Sequence, residues 1–335
     1  MNYFSAIDLH SNNAYLVVLD EEDNSVYEKR LPNELALIID ALQPFKNDLV
    51  GVAVESTFNW YWLVDGLMAH GFKLHLVNTT AVQTYSGLKY TNDVHDARWL
   101  AKLLRLGILP TGYIYPKQTR KLRDLLRKRS GLVQQRTLNI ASFKSLYSRQ
   151  LGITLNTNAI HKDIDQFTFT DPMLEAIAAP HKRLYRLLTH EIKQQEVIIK
   201  NHLTPQLDYQ GLQTVPGIGQ ILAATILLET GNIERFEKVG NYASYCRCVK
   251  STRISNQKTK GKGNAKNGNR YLSWAYAEAA HFAIRYAKPI KRFYERKKQK
   301  SNGIIAMKAV AHKLARACYF MMKNHVEFDM QLAFS

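Results

Sequence analysis

Residues 3–31, YFSAIDLHSNNAYLVVLDEEDNSVYEKRL, decide the fold of the front of the chain. Three apolar runs, Tyr3–Leu9, Ala14–Leu19 and Val26–Leu31, are separated by the polar stretches His10–Asn13 and Glu21–Ser25. Short runs rich in Val, Leu, Ile and Tyr between polar turns predict an antiparallel meander. Outward from it, Asn33 predicts the N-cap of a helix reaching about Leu42, with apolar Leu35, Leu37, Ile38, Ile39 and Leu42. Leu49–Val54 predicts a strand ending at Glu55, Trp60–His70 a helix closed by Gly71, and Lys73–Val77 another strand. Strands alternating with helices predict an α/β domain with a partly parallel sheet. A helix over Asp93–Leu106, stopped by Gly107 and Pro110, completes a domain over residues 1–115.

Two long polar-rich helices are predicted next, Gln118–Arg149 and Pro172–Leu203, the second with Leu184, Leu187, Leu188, Ile192, Ile199 and Leu203 at helical spacing. Neither has enough apolar surface to stand alone. A helical hairpin, or a coiled coil between subunits, would bury what there is. Residues 116–206 therefore read as a coiled-coil or assembly region, and 207–335 as a mostly helical domain. In the latter, helices are predicted over Ile221–Glu229, Gly240–Cys248, Tyr271–Tyr286 and Ile304–Met322.

With 46 Lys and Arg against 28 Asp and Glu, the net charge is +18. Such a surplus points to polyanions, nucleic acid first. No apolar run approaches the roughly 20 residues of a membrane span. The N-terminus lacks the basic-then-apolar layout of a signal peptide, so a bacterial cytoplasmic protein without membrane partners is expected, at the nucleoid when acting. Three cysteines, Cys246, Cys248 and Cys318, provide no disulfide framework, and the first two lack a second pair at zinc-finger spacing.

Four acids stand at privileged positions. Asp8 ends the first strand, Glu55 ends a later one, and Asp93 and Asp96 lie at i and i+3 on one helix. Acids at strand ends face the crevice where ligands bind in α/β sheets. Clustered carboxylates take up protons unless a cation neutralises them. Oxygen-only ligands suit Mg²⁺, and two such ions can hold the attacking and leaving oxygens of a phosphodiester exchange. Singly, Asp93 reads as an N-cap and Asp96 as a first-turn acid favoured by the helix dipole.

The back of the chain carries two further patterns. Val215–Gly219, VPGIG, before the apolar run from Ile221 resembles a helix-hairpin-helix motif, whose Gly217 and Gly219 would bring backbone N–H groups to a phosphate. A plain helix–helix turn reads the same way. Residues 250–269, KSTRISNQKTKGKGNAKNGN, contain no acid, and Lys250, Arg253, Lys258, Lys260, Lys262, Lys266 and the following Arg270 can lie along a phosphate backbone. The hydroxyls here are Ser251, Thr252, Ser255 and Thr259. Arg253 and Lys258 flank Ser255 and would stabilise a pentavalent phosphoryl transition state there, though by composition alone Ser255 is an ordinary loop serine.

The motifs AIDLH at Asp8, VAVEST at Glu55, TNDVHDARWLAKLL at Asp93 and Asp96, then TVPGIG, RISNQKTKGKGNAKNGNRYLSWA and EAAHF occur in this order over nearly the whole chain. In this the chain resembles the DEDD transposases of the insertion-sequence one-ten group, within it the eleven-eleven branch, also called bridge-RNA-guided recombinases. The resemblance implies an N-terminal RuvC-like ribonuclease H fold whose Asp8, Glu55, Asp93 and Asp96 bind Mg²⁺, two ions per site, and a C-terminal transposase domain. It implies that Ser255 attacks DNA and forms a covalent phosphoserine. It also implies a homo-oligomer, dimer or tetramer, with composite active sites, and a noncoding guide RNA beside the DNA. Two other readings compete: a hydrolytic, junction-resolving nuclease in which Ser255 is idle, and a non-catalytic nucleic-acid-binding protein.

Overall fold

The computed structural model describes residues 1–82, 93–261 and 267–334, with only the backbone of Asp93, Arg253 and Ile254. Lys262 and Lys266, and the side chains of Asp93 and Arg253, thus lie outside the described residues. The chain forms two compact units, Met1–Lys117 and Gln118–Ser335.

Unit 1 is built on the meander. Strands β1 (Tyr3–Leu9), β2 (Asn13–Leu19) and β3 (Ser25–Pro32) pair antiparallel, and β4 (Leu49–Glu55) and β5 (Leu74–Val77) add in parallel beyond β1. The sheet order is β3-β2-β1-β4-β5. Helices α1 (Leu35–Leu42) and α2 (Tyr61–Ala69) lie in the crossovers, followed by the short α3 (Thr79–Val82) and by α4 (Asp93–Arg105). Strand alternation sends Ile7, Leu9, Val52 and Val54 to one face, where they pack with Ile38, Leu42, Leu63 and Leu67 of α1 and α2. Phe4, Ala6 and Ala53 go to the other, beneath Ala97, Leu100, Ala101 and Leu104 of α4. Each fully buried Leu or Ile contributes about 1.5–3 kcal/mol.

The predicted cap at Asn33 differs from what is found. Glu34 occupies the N-cap of α1 without a side-chain bond. Asn33 instead donates through Nδ2 to the His10 carbonyl (3.1 Å), which also accepts from Asn59 Nδ2 (2.9 Å). A long-range bond to a turn carbonyl thus takes the place of the local cap.

Unit 2 is helical. Helix α5 (Lys117–Leu151) and, after the short α6 (Thr157–Lys162), α7 (Pro172–Leu203) pair antiparallel. Phe143 and Tyr147 meet Ala178 and Tyr185, Leu132 meets Leu188 and Ile192, and Leu126 joins the cluster holding Ile199 and Leu203. Of the two arrangements the sequence allowed, the intrachain helical hairpin is present. The cluster reached by Leu126 also holds the helices that follow: α8 (Leu207–Leu212), α9 (Gln220–Thr230), α10 (Val239–Tyr245), α11 (Arg270–Tyr286), α12 (Lys288–Gln299), α13 (Gly303–Asn324) and α14 (Met330–Phe334). Packing therefore crosses the boundary expected at residue 206, and the hairpin and the later helices share one core. The segment read as an open loop contains two strands, β6 (Arg253–Ser255) and β7 (Lys258–Gly261), paired antiparallel. Among the described residues no helix is long and apolar enough to cross a membrane.

Candidate active site and nucleic-acid interface

The sheet register brings the first two acids together. Ile7 of β1 lies beside Val54 of β4 in parallel pairing, so the next residues, Asp8 and Glu55, are neighbours at the same strand ends. Asp8 shares the parity of Phe4 and Ala6, and Glu55 that of Ala53, so both belong to the face covered by α4. Asp8 is buried and Glu55 half-buried. Burial first, then a hydrogen bond and the charge of Asp8, then the charge of Asp96, push the Glu55 carboxyl up to about 7. Asp96 is about half exposed and lies 3.8 Å from His95 Nδ1.

Ion pairs outside the site aim α4. Arg98 Nε donates to Glu28 (2.8 Å), Arg105 Nε to Asp23 (2.6 Å), and Lys102 Nζ lies 3.0 Å from Asp23. They fix the helix along β2 and β3 and leave its N-terminal turn, with the Asp93 backbone and Asp96, toward the Asp8–Glu55 pair. His10, which the sequence reading passed over, stands 3.4 Å from Asp8 through Nε2. Its turn is held by Asn33 and Asn59, so only the adjacency in AIDLH signalled it.

Three of the four predicted acids thus act on one another. Among the described residues no three acid, histidine or cysteine groups already converge on one metal position. The preformed element is the Asp8–Glu55 pair, a hard oxygen donor set in which burial and the neighbouring acids make one carboxyl resist ionisation. That chemistry fits Mg²⁺.

In unit 2, Ser255 is exposed and ends β6, opposite Lys258, the first residue of β7. The two residues between them, Asn256 (φ 50) and Gln257 (φ 58), both have positive φ, as a type I′ hairpin turn requires. Ser255 therefore sits at the shoulder of a tight turn, with Lys258 as its cross-strand neighbour. Lys250 and Lys260 are exposed, and Arg270 is exposed with its Nη2 donating to the Tyr271 hydroxyl (2.9 Å).

The base of this hairpin is fastened. Arg247 (φ 56) donates through Nε and Nη2 to the Gly268 carbonyl (3.1 and 2.8 Å). Asn269 caps α11, accepting from Tyr271 N and Leu272 N, and its Nδ2 donates to Glu229 (2.7 Å). Glu229, only 1% exposed, also accepts from Arg123 Nε (3.0 Å) and from Arg127 Nε and Nη2 (2.6 and 2.8 Å) of α5. Burial raises its pKa, yet Arg127, Arg123 and Asn269 more than offset this and hold the carboxyl below its ordinary value. No local sequence pattern links Glu229 to arginines about a hundred residues away.

The two predicted phosphate-facing glycines differ. A Cβ on Gly217 (φ +88) would stand 2.3 Å from the Ala279 carbonyl oxygen and 2.7 Å from the Ala283 nitrogen, so close packing of the turn on α11 accounts for this glycine. Gly219 faces open space and N-caps α9 without a side-chain bond. Cys246 and Cys318 are buried, and burial pushes the thiols of Cys248 and Cys318 up to about 12, so they remain protonated.

Comparison with known proteins matches the same two regions. A transposase model, that of the DEDD transposases of IS110 type, matches residues 6–148. The model described as "Transposase IS116/IS110/IS902 family" matches residues 209–295. Together they span about two thirds of the chain. The transposase for insertion sequence element IS1111A of Coxiella burnetii is 20% identical over 292 residues, 84% of this chain and 78% of that protein.

Proposed function

This chain belongs to the IS110 family, as a transposase of an insertion sequence with DNA as its partner, and from that premise we propose that its two units supply complementary halves of a strand-exchange reaction. The observation that carries the reading is the register that sets Asp8 beside Glu55, with the Glu55 carboxyl raised to about 7. The meander with parallel strands added beyond it supports a RuvC-like ribonuclease H fold for unit 1.

Asp8 and Glu55, with Asp96 and Asp93, are the groups that would hold Mg²⁺, which when bound supplies a Lewis acid at a phosphodiester. The acids themselves orient and gather that charge. Glu55 must lose its proton for the set to work, and burial, then the hydrogen bond and charge of Asp8 and the charge of Asp96, make this the costly step without a cation. Ser255 is the nucleophile. Its Oγ bonds to phosphorus while the bond from phosphorus to the leaving deoxyribose oxygen breaks. The hydroxyl proton departs to solvent and the leaving oxygen takes one up. The phosphoserine ester conserves the bond energy, so a hydroxyl from another DNA end can reverse the step and join the strands. Lys258 opposite and Lys260 nearby stabilise the added negative charge. Ser255 on an exposed tip and the acids in a separate unit fit a composite site shared between subunits, which the exposed Ile177, Leu184, Leu187 and Ile198 of α7 support by offering apolar surface for assembly. A guide RNA would draw on the same basic excess of +18.

The test is a trapped protein–DNA adduct on donor DNA with Mg²⁺. It should form with the wild type and disappear in Ser255→Ala and in Asp8→Asn. Normal strand exchange by Ser255→Ala would leave the hydrolytic reading standing instead.

A further inference from the structure

Helix α11 ends in two rings that unit 2 leaves in water. Phe282 and Tyr286, one turn apart, stack with centroids 6.4 Å apart and planes at 8°. They are 45% and 69% exposed. With the turn from Gln213 to Leu222 they line an open groove of about 710 Å³. The Arg285 guanidinium lies 5.4 Å from the Tyr286 ring centroid.

Immediately beyond, the solvent face of α12 is cationic. Lys288, Lys291, Arg292 and Arg296 are exposed and stand at i, i+3, i+4 and i+8, one stripe of the helix, while Ile290 and Phe293 are buried on its other side. Lys297, Lys298 and Lys300 extend the charge, and Glu295 is the one acid between residues 287 and 300. Their field reaches inward: the Lys313 ammonium is pushed below its ordinary value by burial, then by Arg296, Arg316 and Lys297. Two Cα–Cα steps of about 3.8 Å separate Tyr286 from Lys288, so rings and cations adjoin within ~8 Å along the backbone.

The geometry points to a binding track for an unpaired DNA strand, with bases stacking on Phe282 and Tyr286 and the sugar–phosphate backbone running along the Lys288–Arg296 stripe. Exposed rings beside a row of cations are the two parts a single-strand site needs, because only an unpaired strand offers base faces and phosphates together. A duplex hides its base faces, and an apolar protein partner gains nothing from the cations. DNA is favoured over RNA because this inference rests on the strand-exchange reading, in which cut ends must be held unpaired.

The test measures binding of the full chain in chelator, so that it stands apart from catalysis. The probes are a 20-nucleotide single strand carrying 2-aminopurine, the corresponding duplex, and the same single strand as RNA. Phe282→Leu with Tyr286→Leu should weaken single-strand DNA binding about five- to hundredfold, abolish the 2-aminopurine quenching that reports stacking, and leave duplex affinity within about twofold. Arg292→Gln with Arg296→Gln should weaken both DNA forms and flatten the single-strand salt slope by about 1.4. The proposal is overturned if the ring variant binds the single strand and quenches 2-aminopurine as the wild type does, if it loses duplex equally, or if only RNA binding falls. It is also overturned if sedimentation shows that the ring variant breaks the assembly while single-strand affinity holds, which would make the rings a contact between copies.

Discussion

Glu229→Ala removes one carboxylate and four hydrogen bonds at once. Two come from Arg127, one from Arg123, and one from Asn269, which in turn caps α11. The acid is 1% exposed and Arg123 is 9% exposed, so water can replace little of this. Breaking a buried, hydrogen-bonded ion pair costs about 3–5 kcal/mol. For a unit of this size 1 kcal/mol shifts the melting temperature by about 2–4 °C, so the loss is on the order of 10 °C. Trp274 on α11 is the only tryptophan beyond residue 117 and, with the other three replaced by Phe, reports unfolding of unit 2 alone. Arg186→Ala serves as the control. Its pair with Asp165 is about half exposed on both sides and should cost under about 1 kcal/mol. The pH dependence adds a sign. The folded-state pKa of Glu229 is depressed, so its stabilisation is complete above about pH 4.5 and is lost as pH falls through the folded value. The gap between wild type and Glu229→Gln should therefore close on acidification. A melting shift under about 2 °C for Glu229→Ala would refute the account of this network.

Two further outcomes are expected. Gly217→Ala drives a Cβ into the α11 backbone at a positive φ and should destabilise unit 2 by about 3 kcal/mol or more in denaturant melts, whereas Gly219→Ala, in open space, should stay within about 0.5 kcal/mol; equal effects would mean the turn does not pack as described. The raised pKa of Glu55 has the opposite consequence to that of Glu229: in chelator, stability should fall as pH rises from about 4.5 through about 7, Mg²⁺ should restore it above 7, and Glu55→Gln should flatten the profile; a wild-type melting temperature independent of pH across that window would count against the carboxylate pair.

Local pattern revealed the elements whose side chains point at their own neighbours. The apolar runs of β1 and β2 were readable because both faces of these strands are buried, and the spacing in α7 because burial there follows the helix period. The acids Asp8 and Glu55 were readable as strand ends, but their contact depends on the parallel register of β1 and β4. The β6–β7 hairpin was not readable: Ile254 is the one large apolar residue between Lys250 and Asn269, and its turn uses Asn256–Gln257 where Asn-Gly would have announced it. Helix α12 escaped because only Ile290 and Phe293 mark its buried side among so many cations. Asn33 was misplaced because its amide finds a carbonyl 23 positions away in sequence. Glu229 escaped for the same reason, its partners being remote in the chain.

Helix α5 holds Arg123 and Arg127 near one end and reaches to Leu151. At 1.5 Å per residue its far end, packed against the start of α7, lies roughly 36 Å past that anchorage. A swing of about 5° at the buried carboxylate would therefore carry the tip through ~3 Å, the width of a hydrogen bond. One buried acid thus ties the root of this arm to the stem beneath the serine, through Arg123 and Arg127 on one side and Asn269 on the other.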